Sequence, residues 1–236
     1  MSPILFVHIC SAVVGLIAGA LAMIVRKGSG VHAVAGSFFV AAMMSMSGTG
    51  IFMATVMRPN NGNVMGGSLL FYLVTTGWIA GTRRERGIRA IDVAALLLAL
   101  AVGTAGIGWG LDAARSHSGL KSGYPAGLFF VFGSIALLFA AADVRMLLRG
   151  GVMATRRLVR HLWRIGIGFL FALMSLYPGN GRFFPDAVRK TSLAYTPHLL
   201  VIGTMIFWLV RLRRRRRRVT LPQPQAAVPY PVEVLS

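Results

Sequence analysis

Histidines are the residues of this sequence with the clearest potential for chemistry. Four of the five lie at or near the ends of apolar stretches: His8, His32, His161 and His198. A neutral imidazole nitrogen is a good transition-metal ligand, and the other ring nitrogen needs an acceptor that fixes the tautomer. Two imidazoles that face each other across a helix bundle can hold the iron of a b-type haem. A zinc or other metal ion on the same histidines is the alternative, although the sequence lacks the short His and carboxylate spacings of zinc motifs.

A second set of functional side chains lies in the segment Arg160-His161-Leu162-Trp163-Arg164. Arg160 and Arg164 are four residues apart and therefore share one face of a helix. A buried arginine needs an acidic partner, and Asp143 and Asp92 are available. One interpretation is a structural anchor held by salt bridges. The other is contact with an anionic group, such as a haem propionate or a lipid phosphate, whose oxygens match a guanidinium.

The composition of the chain indicates an integral membrane protein. Hydrophobic residues make up 56% and charged residues 13%, and the formal net charge is +19. This small polar share excludes a cytosolic enzyme, a secreted disulfide scaffold and a disordered chain. Cys10 is the only cysteine, so an intrachain disulfide and a Cys-rich metal site are also excluded. The basic residues lie between apolar runs, so we expect contact with anionic lipid and not with nucleic acid.

Seven apolar runs approach the length of about 20 helical residues that a bilayer core requires. None alternates as a barrel strand does, so the runs predict an all-α integral membrane bundle of seven transmembrane helices. The third run is short, and a six-helix bundle is the alternative. The runs are 4–25, 31–57, 65–81, 91–111, 124–148, 158–177 and 195–210.

The basic residues are divided unevenly between the two sides of these predicted helices. With the N-terminus outside, the cytoplasmic segments hold nineteen of the 25 Lys and Arg residues. The positive-inside rule then places the C-terminus in the cytoplasm. The transmembrane domain covers 1–212. The tail, 213–236, begins with six arginines that we expect to meet anionic lipid, and continues as a Pro-rich disordered segment.

This topology places one histidine pair near each membrane face. His8 and His198 fall on the outer side, and His32 and His161 on the inner side. Each pair would ligate one haem iron, and Arg160 or Arg164 would face a haem propionate. His32 and His161 lie close to the predicted water interface, so interfacial or helix-capping histidines are the alternative.

Three segments resemble a known group of proteins. The first predicted hairpin, with His8, Gly15, Arg26-Lys27-Gly28, His32 and Gly36, resembles uncharacterised bacterial multi-pass membrane proteins of the DUF2306 type. The segments 72–78 and 160–164 resemble the same group, and the likeness spans about residues 4–211. The resemblance implies a bacterial integral membrane protein whose activity is unassigned, and we therefore expect a multi-pass protein of the bacterial cytoplasmic membrane.

The sequence thus gives one specific functional hypothesis and two alternatives. The hypothesis is a transmembrane module with b-type haem that moves electrons between a quinol or soluble donor and an acceptor. The first alternative is a small-molecule permease or binding protein without a redox cofactor, although the helix centres hold almost no charge and ion-coupled carriers usually show some. The second is a structural or assembly partner of another membrane protein. No catalytic residue is predicted.

Overall fold

A computed structural model describes residues 2–83, 87–151, 154–177, 185, 187 and 191–219. Most of these residues are α-helical. A π-helical turn (Met53–Met57) extends the second helix, and a 3₁₀ turn (Ser192–Tyr195) precedes the last. Two short antiparallel strands, β1 (Leu120–Lys121) and β2 (Tyr124–Pro125), join the fourth and fifth helices. The helices are α1 (Pro3–Ile24), α2 (Gly30–Phe52), α3 (Asn61–Thr82), α4 (Ala90–Arg115), α5 (Ala126–Leu147), α6 (Ala154–Leu176) and α7 (Thr196–Val219).

Polar residues fix where several helices begin. The side chains of Ser2, Ser29 and Asn60 each accept a hydrogen bond from the backbone N–H three residues later, at 3.4, 3.2 and 2.9 Å. At the start of α4, the Asp92 carboxylate accepts a hydrogen bond from the Arg89 N–H at 2.9 Å. Each such cap satisfies an N–H group that has no partner within its helix and contributes about 1 kcal/mol.

The central helices of the bundle are α3 and α6, which pack against each other. The α1–α2 hairpin packs on one side of this pair, the α4–α5 hairpin packs against α3 on the other, and α7 lies along α6. One apolar core fills the space between α3, α4 and α5. A second core is formed by residues of α1, α2, α3, α6 and α7. Residues on α3 and α6 are therefore in the interior of the bundle.

Glycines set the distance between α4 and α5. A Cβ atom on Gly106 would lie 2.9 Å from the Gly133 Cα, and one on Gly133 would lie 3.0 Å from the Ile107 nitrogen. Small residues at such positions let two helices approach closely in lipid. Gly108, half a turn away from Gly106, faces open space.

Six helices among the described residues, α1 to α6, are long and apolar enough to cross a membrane. The third run, short in the sequence, forms a helix of 22 residues. In α7 the apolar part ends at Val210, and Arg211 follows. From Thr196 to Val210 the helix spans about 22 Å, less than the hydrocarbon core of about 30 Å. A seventh span through α7 therefore stays a prediction.

The last helix also extends into the predicted tail. It continues to Val219, so the predicted boundary between residues 212 and 213 falls inside α7. The Pro-rich part of the tail, 220–236, lies outside the described residues.

Large apolar side chains cover the outside of the bundle. Phe6, Ile17, Ile24, Leu138 and Leu199 are each more than half exposed. Water would disfavour so much exposed apolar surface, whereas lipid tails would accommodate it. This surface and the six apolar helices are consistent with a multi-pass integral membrane protein.

The connections between helices meet at two ends of the bundle. The α3–α4 and α5–α6 connections touch, since a Cβ atom on Gly151 would lie 3.0 Å from the Gly87 carbonyl oxygen. The α1–α2 connection reaches α7, where the Lys27 Nζ lies 5.8 Å from the Trp208 ring. We call this end, formed by the α1–α2, α3–α4 and α5–α6 connections, the arginine-rich end. At the opposite end, the strand hairpin hydrogen-bonds to the start of α3.

Candidate functional site

A network of charged side chains lies where α3, α5 and α6 approach the arginine-rich end. Asp143 of α5 is fully buried and accepts hydrogen bonds from three side chains. Tyr72 Oη donates to Oδ2 at 2.6 Å, and Arg160 Nη2 donates to Oδ1 at 2.6 Å. Arg164 Nη2 also donates to Oδ1, and Arg164 is itself fully buried. We call these four residues the Asp143 cluster.

Helical spacing and aromatic packing position the arginines of this cluster. Arg160 and Arg164 are one turn apart on α6, so both reach the same carboxylate on α5. The Arg164 Cζ lies 4.9 Å from the centre of the Tyr72 ring and 5.1 Å from that of Trp163. Two aromatic faces therefore interact favourably with this guanidinium and hold it in place.

The Asp143 cluster contains more positive than negative charge. One carboxylate, Asp143, faces the guanidiniums of Arg160 and Arg164. The Nε and Nη1 of Arg164 are buried and have no hydrogen-bond partner. A buried donor without an acceptor costs about 1–3 kcal/mol, and more when it is charged. The cluster therefore lacks the negative charge that would satisfy it.

A cavity adjoins the Asp143 cluster between the ends of α3, α4, α5 and α6. It holds about 410 Å³ of space, part of which is open to solvent. Arg157 and Arg160 line it, and the Nε and Nη1 of Arg157 are buried without a partner. Arg83 and Asp92, also in the lining, form an ion pair at 2.7 Å. The other lining residues are Thr76, Ile79, Ala80, Gly87 and Met146.

Positive charge is concentrated at the arginine-rich end around this cavity. Arg149 follows α5, and the charge of Arg145 is the main cause of its lowered guanidinium pKa, followed by burial and by the charge of Arg156. Like charges at such short range create a positive potential that attracts anions. The field at this end therefore favours anion entry into the cavity.

Arginines around a cavity are suited to bind an anion. A guanidinium presents planar N–H groups that match pairs of carboxylate or phosphate oxygens. In the part of the chain that the structure describes, no group of three or more His, Cys, Asp or Glu side chains is placed to hold a metal ion. The arrangement can bind and orient an anion through N–H donors alone.

Three of the four candidate histidines make the same contact. The Nδ1 atoms of His8, His32 and His161 lie 2.9, 3.0 and 2.9 Å from a backbone carbonyl oxygen of a neighbouring helix. Because a carbonyl oxygen only accepts, Nδ1 carries a proton, and in the neutral ring Nε2 then keeps its lone pair. Metal-ligating histidines commonly have this arrangement. The acceptors belong to Met46, Ala22 and Gly77, respectively.

The structure brings the predicted inner pair, His32 and His161, within electrostatic range of each other. The charge of Lys27 also interacts electrostatically with His161. The Lys27 Nζ donates to the carbonyl oxygens of Ala22 at 2.8 Å and Met23 at 2.6 Å, and burial lowers the pKa of this ammonium. The two imidazoles therefore lie beside a cation.

The predicted outer pair, His8 and His198, has different surroundings. His8 lies against α2, where the Thr49 Oγ1 is 3.2 Å from its Nδ1. His198, in the first turn of α7, is 9% exposed and packs beside the ring of Tyr195, with 5.9 Å between ring centres. Neither ring nitrogen of His198 has a hydrogen-bond partner.

Two residues of the site, Tyr72 and Arg157, were not among the candidates from sequence. Arg157 is three residues before Arg160 and seven before Arg164, so helical periodicity places all three on one face of α6. This spacing is a signal that could have identified Arg157. A tyrosine within an apolar helix carries no comparable signal, because its partner Asp143 is 71 residues away in the chain.

Comparison with known proteins returned no match. No protein-family model, curated protein or solved structure matches this chain. The resemblance to DUF2306-type proteins therefore stays a prediction, and the contacts within the bundle are the basis for the functional proposal.

Proposed function

We propose that this chain is a multi-pass membrane protein that binds a small anionic molecule in the cavity beside the Asp143 cluster. It would act as a permease or a binding protein without a redox cofactor. The observation that carries this proposal is the set of buried guanidinium N–H groups without acceptors on Arg157 and Arg164. Oxygens of an anionic ligand in the cavity supply acceptors for Arg157 and negative charge for the cluster behind it.

The neighbouring contacts support the proposal because they hold the arginines in fixed positions. Asp143 holds Arg160, which lines the cavity, and Asp92 holds Arg83. A site whose donors are already oriented loses less conformational entropy when its ligand binds. Arg157 has unpaired donors on the same cavity and is therefore the residue that we expect to contact the ligand directly.

The proposed orientation of the protein places this cavity at the cytoplasmic face. In this proposal the protein lies in a bacterial cytoplasmic membrane. Its N-terminus lies outside and its C-terminus inside, which is the orientation that the distribution of basic residues favours. The ligand then enters from the cytoplasm. Anionic lipid at the same face is the expected partner of the arginines at the end of α7.

Thermal unfolding of the purified protein in a neutral detergent tests the proposal. The unfolding midpoint should rise as potassium phosphate replaces potassium chloride at constant ionic strength. Arg157→Gln should raise the half-saturating phosphate concentration at least about tenfold, because it removes a charge-assisted hydrogen bond. Arg115→Gln removes an exposed arginine of α4 at the opposite end of the bundle and is the matched control. Equal titrations of the two variants, or no rise with any anion, would contradict the proposal.

A b-type haem on His32 and His161 is the second candidate. It is supported by the electrostatic interaction between the two rings and by their Nδ1 hydrogen bonds, which leave each Nε2 of the neutral rings available to iron. A second haem would use His8 and His198. The chemistry that haem supplies when bound is one-electron transfer.

Visible spectra of the purified protein before and after dithionite test the haem candidate. A Soret band with sharp reduced α and β bands, lost in His161→Ala, is the expected result. A colourless protein from cells with an ample haem supply would exclude it, whatever the outcome of the anion titrations.

A further inference from the structure

We infer that the cavity selects a doubly charged phosphate monoester over a singly charged anion, an inference that rests on the proposed function. Among the described residues that line the cavity or belong to the Asp143 cluster, four guanidiniums face two carboxylates. The carboxylates are Asp92 and Asp143. The guanidiniums are those of Arg83, Arg157, Arg160 and Arg164.

The two carboxylates already form ion pairs with arginines other than Arg157. Asp92 pairs with Arg83 at 2.7 Å, and Asp143 is shared between Arg160 and Arg164. Arg157 keeps its Nε and Nη1 donors unpaired. Among these residues a positive charge of two units remains. One unit is on Arg157, and the other is on the two arginines, Arg160 and Arg164, that share Asp143. A monocarboxylate neutralises half of this charge, whereas a dianion neutralises all of it.

The donor geometry favours the tetrahedral phosphate group. The Nε and Nη1 of Arg157 project from opposite edges of the guanidinium, so one phosphate accepts from one of them through one oxygen. The two other free oxygens of a phosphate monoester can accept from Arg160, which lines the same cavity. A planar carboxylate has two oxygens in all and can offer Arg160 only one acceptor.

One part of the cavity wall favours a monoester over free phosphate. Ile79, Ala80 and Met146 form an apolar part of the lining. An organic group attached to the phosphate can therefore pack against this apolar wall.

Equilibrium binding of methyl phosphate and acetate to the detergent-purified protein tests the selectivity, at a pH where the phosphate is doubly charged. We expect methyl phosphate to bind at least about tenfold more tightly than acetate at equal ionic strength. Arg157→Gln should remove this preference, and Arg115→Gln should keep it. Arg157→Lys keeps the charge but not the guanidinium donors, so it should lose part of the preference while the fold is maintained. The Lys variant keeps the test valid if the Gln variant does not fold.

The phosphate can belong to a soluble molecule or to a lipid headgroup, and nanodiscs distinguish these sources. If phosphatidic acid is the ligand, its inclusion in phosphatidylcholine discs abolishes methyl phosphate binding. If the ligand is soluble, phosphatidic acid leaves that binding unchanged. Either result supports the inference. Equal affinities for methyl phosphate and acetate would overturn it and leave the proposed anion site standing, whereas binding of neither anion would overturn both.

Discussion

Asp143 and Arg164 form an ion pair between α5 and α6 in which both side chains are completely shielded from solvent. The pair connects the α4–α5 hairpin to the central α3–α6 pair of the bundle. Asp143 also accepts hydrogen bonds from other side chains, while two donor atoms of Arg164 remain unpaired. The fold therefore depends on this carboxylate, and the site depends on the positive charge that the carboxylate leaves unbalanced.

Asp143→Asn should destabilise the protein by about 3–5 kcal/mol, because two guanidiniums lose their buried counter-charge. Chemical unfolding in mild detergent measures this change. The control is Asp112→Asn, which breaks the Lys121–Asp112 pair of 2.6 Å at a site where the Asp112 side chain is 54% exposed. We expect that control to cost about 0–1 kcal/mol. Similar decreases in the free energy of unfolding for the two variants would show that the buried Asp143 ion pairs do not stabilise the fold.

Tyr72→Phe should have a smaller effect than the loss of Asp143. The variant removes the 2.6 Å hydrogen bond to Asp143 but keeps the ring that lies 4.9 Å from the Arg164 Cζ. A hydrogen bond to a charged group contributes about 1.5–3 kcal/mol, and this loss should appear in the unfolding free energy. Tyr72→Leu, which also removes the aromatic face, should be less stable than Tyr72→Phe by about 0.5–2 kcal/mol. Equal stability of Phe and Leu variants would argue against the cation–π contact.

Gly106→Leu should disrupt the α4–α5 hairpin, because even a Cβ atom there would lie 2.9 Å from the Gly133 Cα. Overpacking at a close helix contact costs about 1–3 kcal/mol. Gly108→Leu is the matched control, since Gly108 faces open space on the same helix. The two variants are compared by the yield of folded protein in detergent and by the midpoint of thermal unfolding. A Gly106 variant as stable as the Gly108 variant would contradict this helix contact.

Cysteine labelling tests the proposed orientation. In a Cys10→Ala background, Ser118→Cys places a thiol in the exposed connection after α4, and Arg149→Cys places one at the arginine-rich end. A membrane-impermeant maleimide should label Ser118→Cys in intact cells and Arg149→Cys only after the cells are opened. The reverse pattern would place the cavity on the outer side of the membrane. The background protein without cysteine controls for non-specific labelling.

Apolar runs gave the positions of the helices because a membrane span needs nearly continuous apolar sequence. The third run, 65–81, lies within α3, a helix of 22 residues that begins at Asn61 because Asn60 caps its start. The seventh predicted span, 195–210, stays a prediction, because arginines begin at Arg211, before α7 ends at Val219.

The site was less predictable than the helices because it depends on contacts between distant segments. Asp143 was considered as an acid partner for Arg160 and Arg164, and the structure pairs it with both. The Tyr72 hydroxyl and the cavity beside Arg157 arise from the packing of α3 against α5 and α6, which periodicity within one helix cannot specify. The histidines illustrate the same limit, since His8 and His32 both turn toward carbonyl oxygens of the adjacent helix.

Anomalous diffraction from crystals grown with potassium selenate tests the anion site most directly, because selenate is a tetrahedral dianion whose selenium can be located. We expect a selenium peak in the cavity, with a selenate oxygen within hydrogen-bond distance of the Arg157 Nε or Nη1, and no such peak in Arg157→Gln crystals. A cavity without a selenium peak, with those two nitrogens hydrogen-bonded to groups of the protein itself, would contradict the proposed anion site.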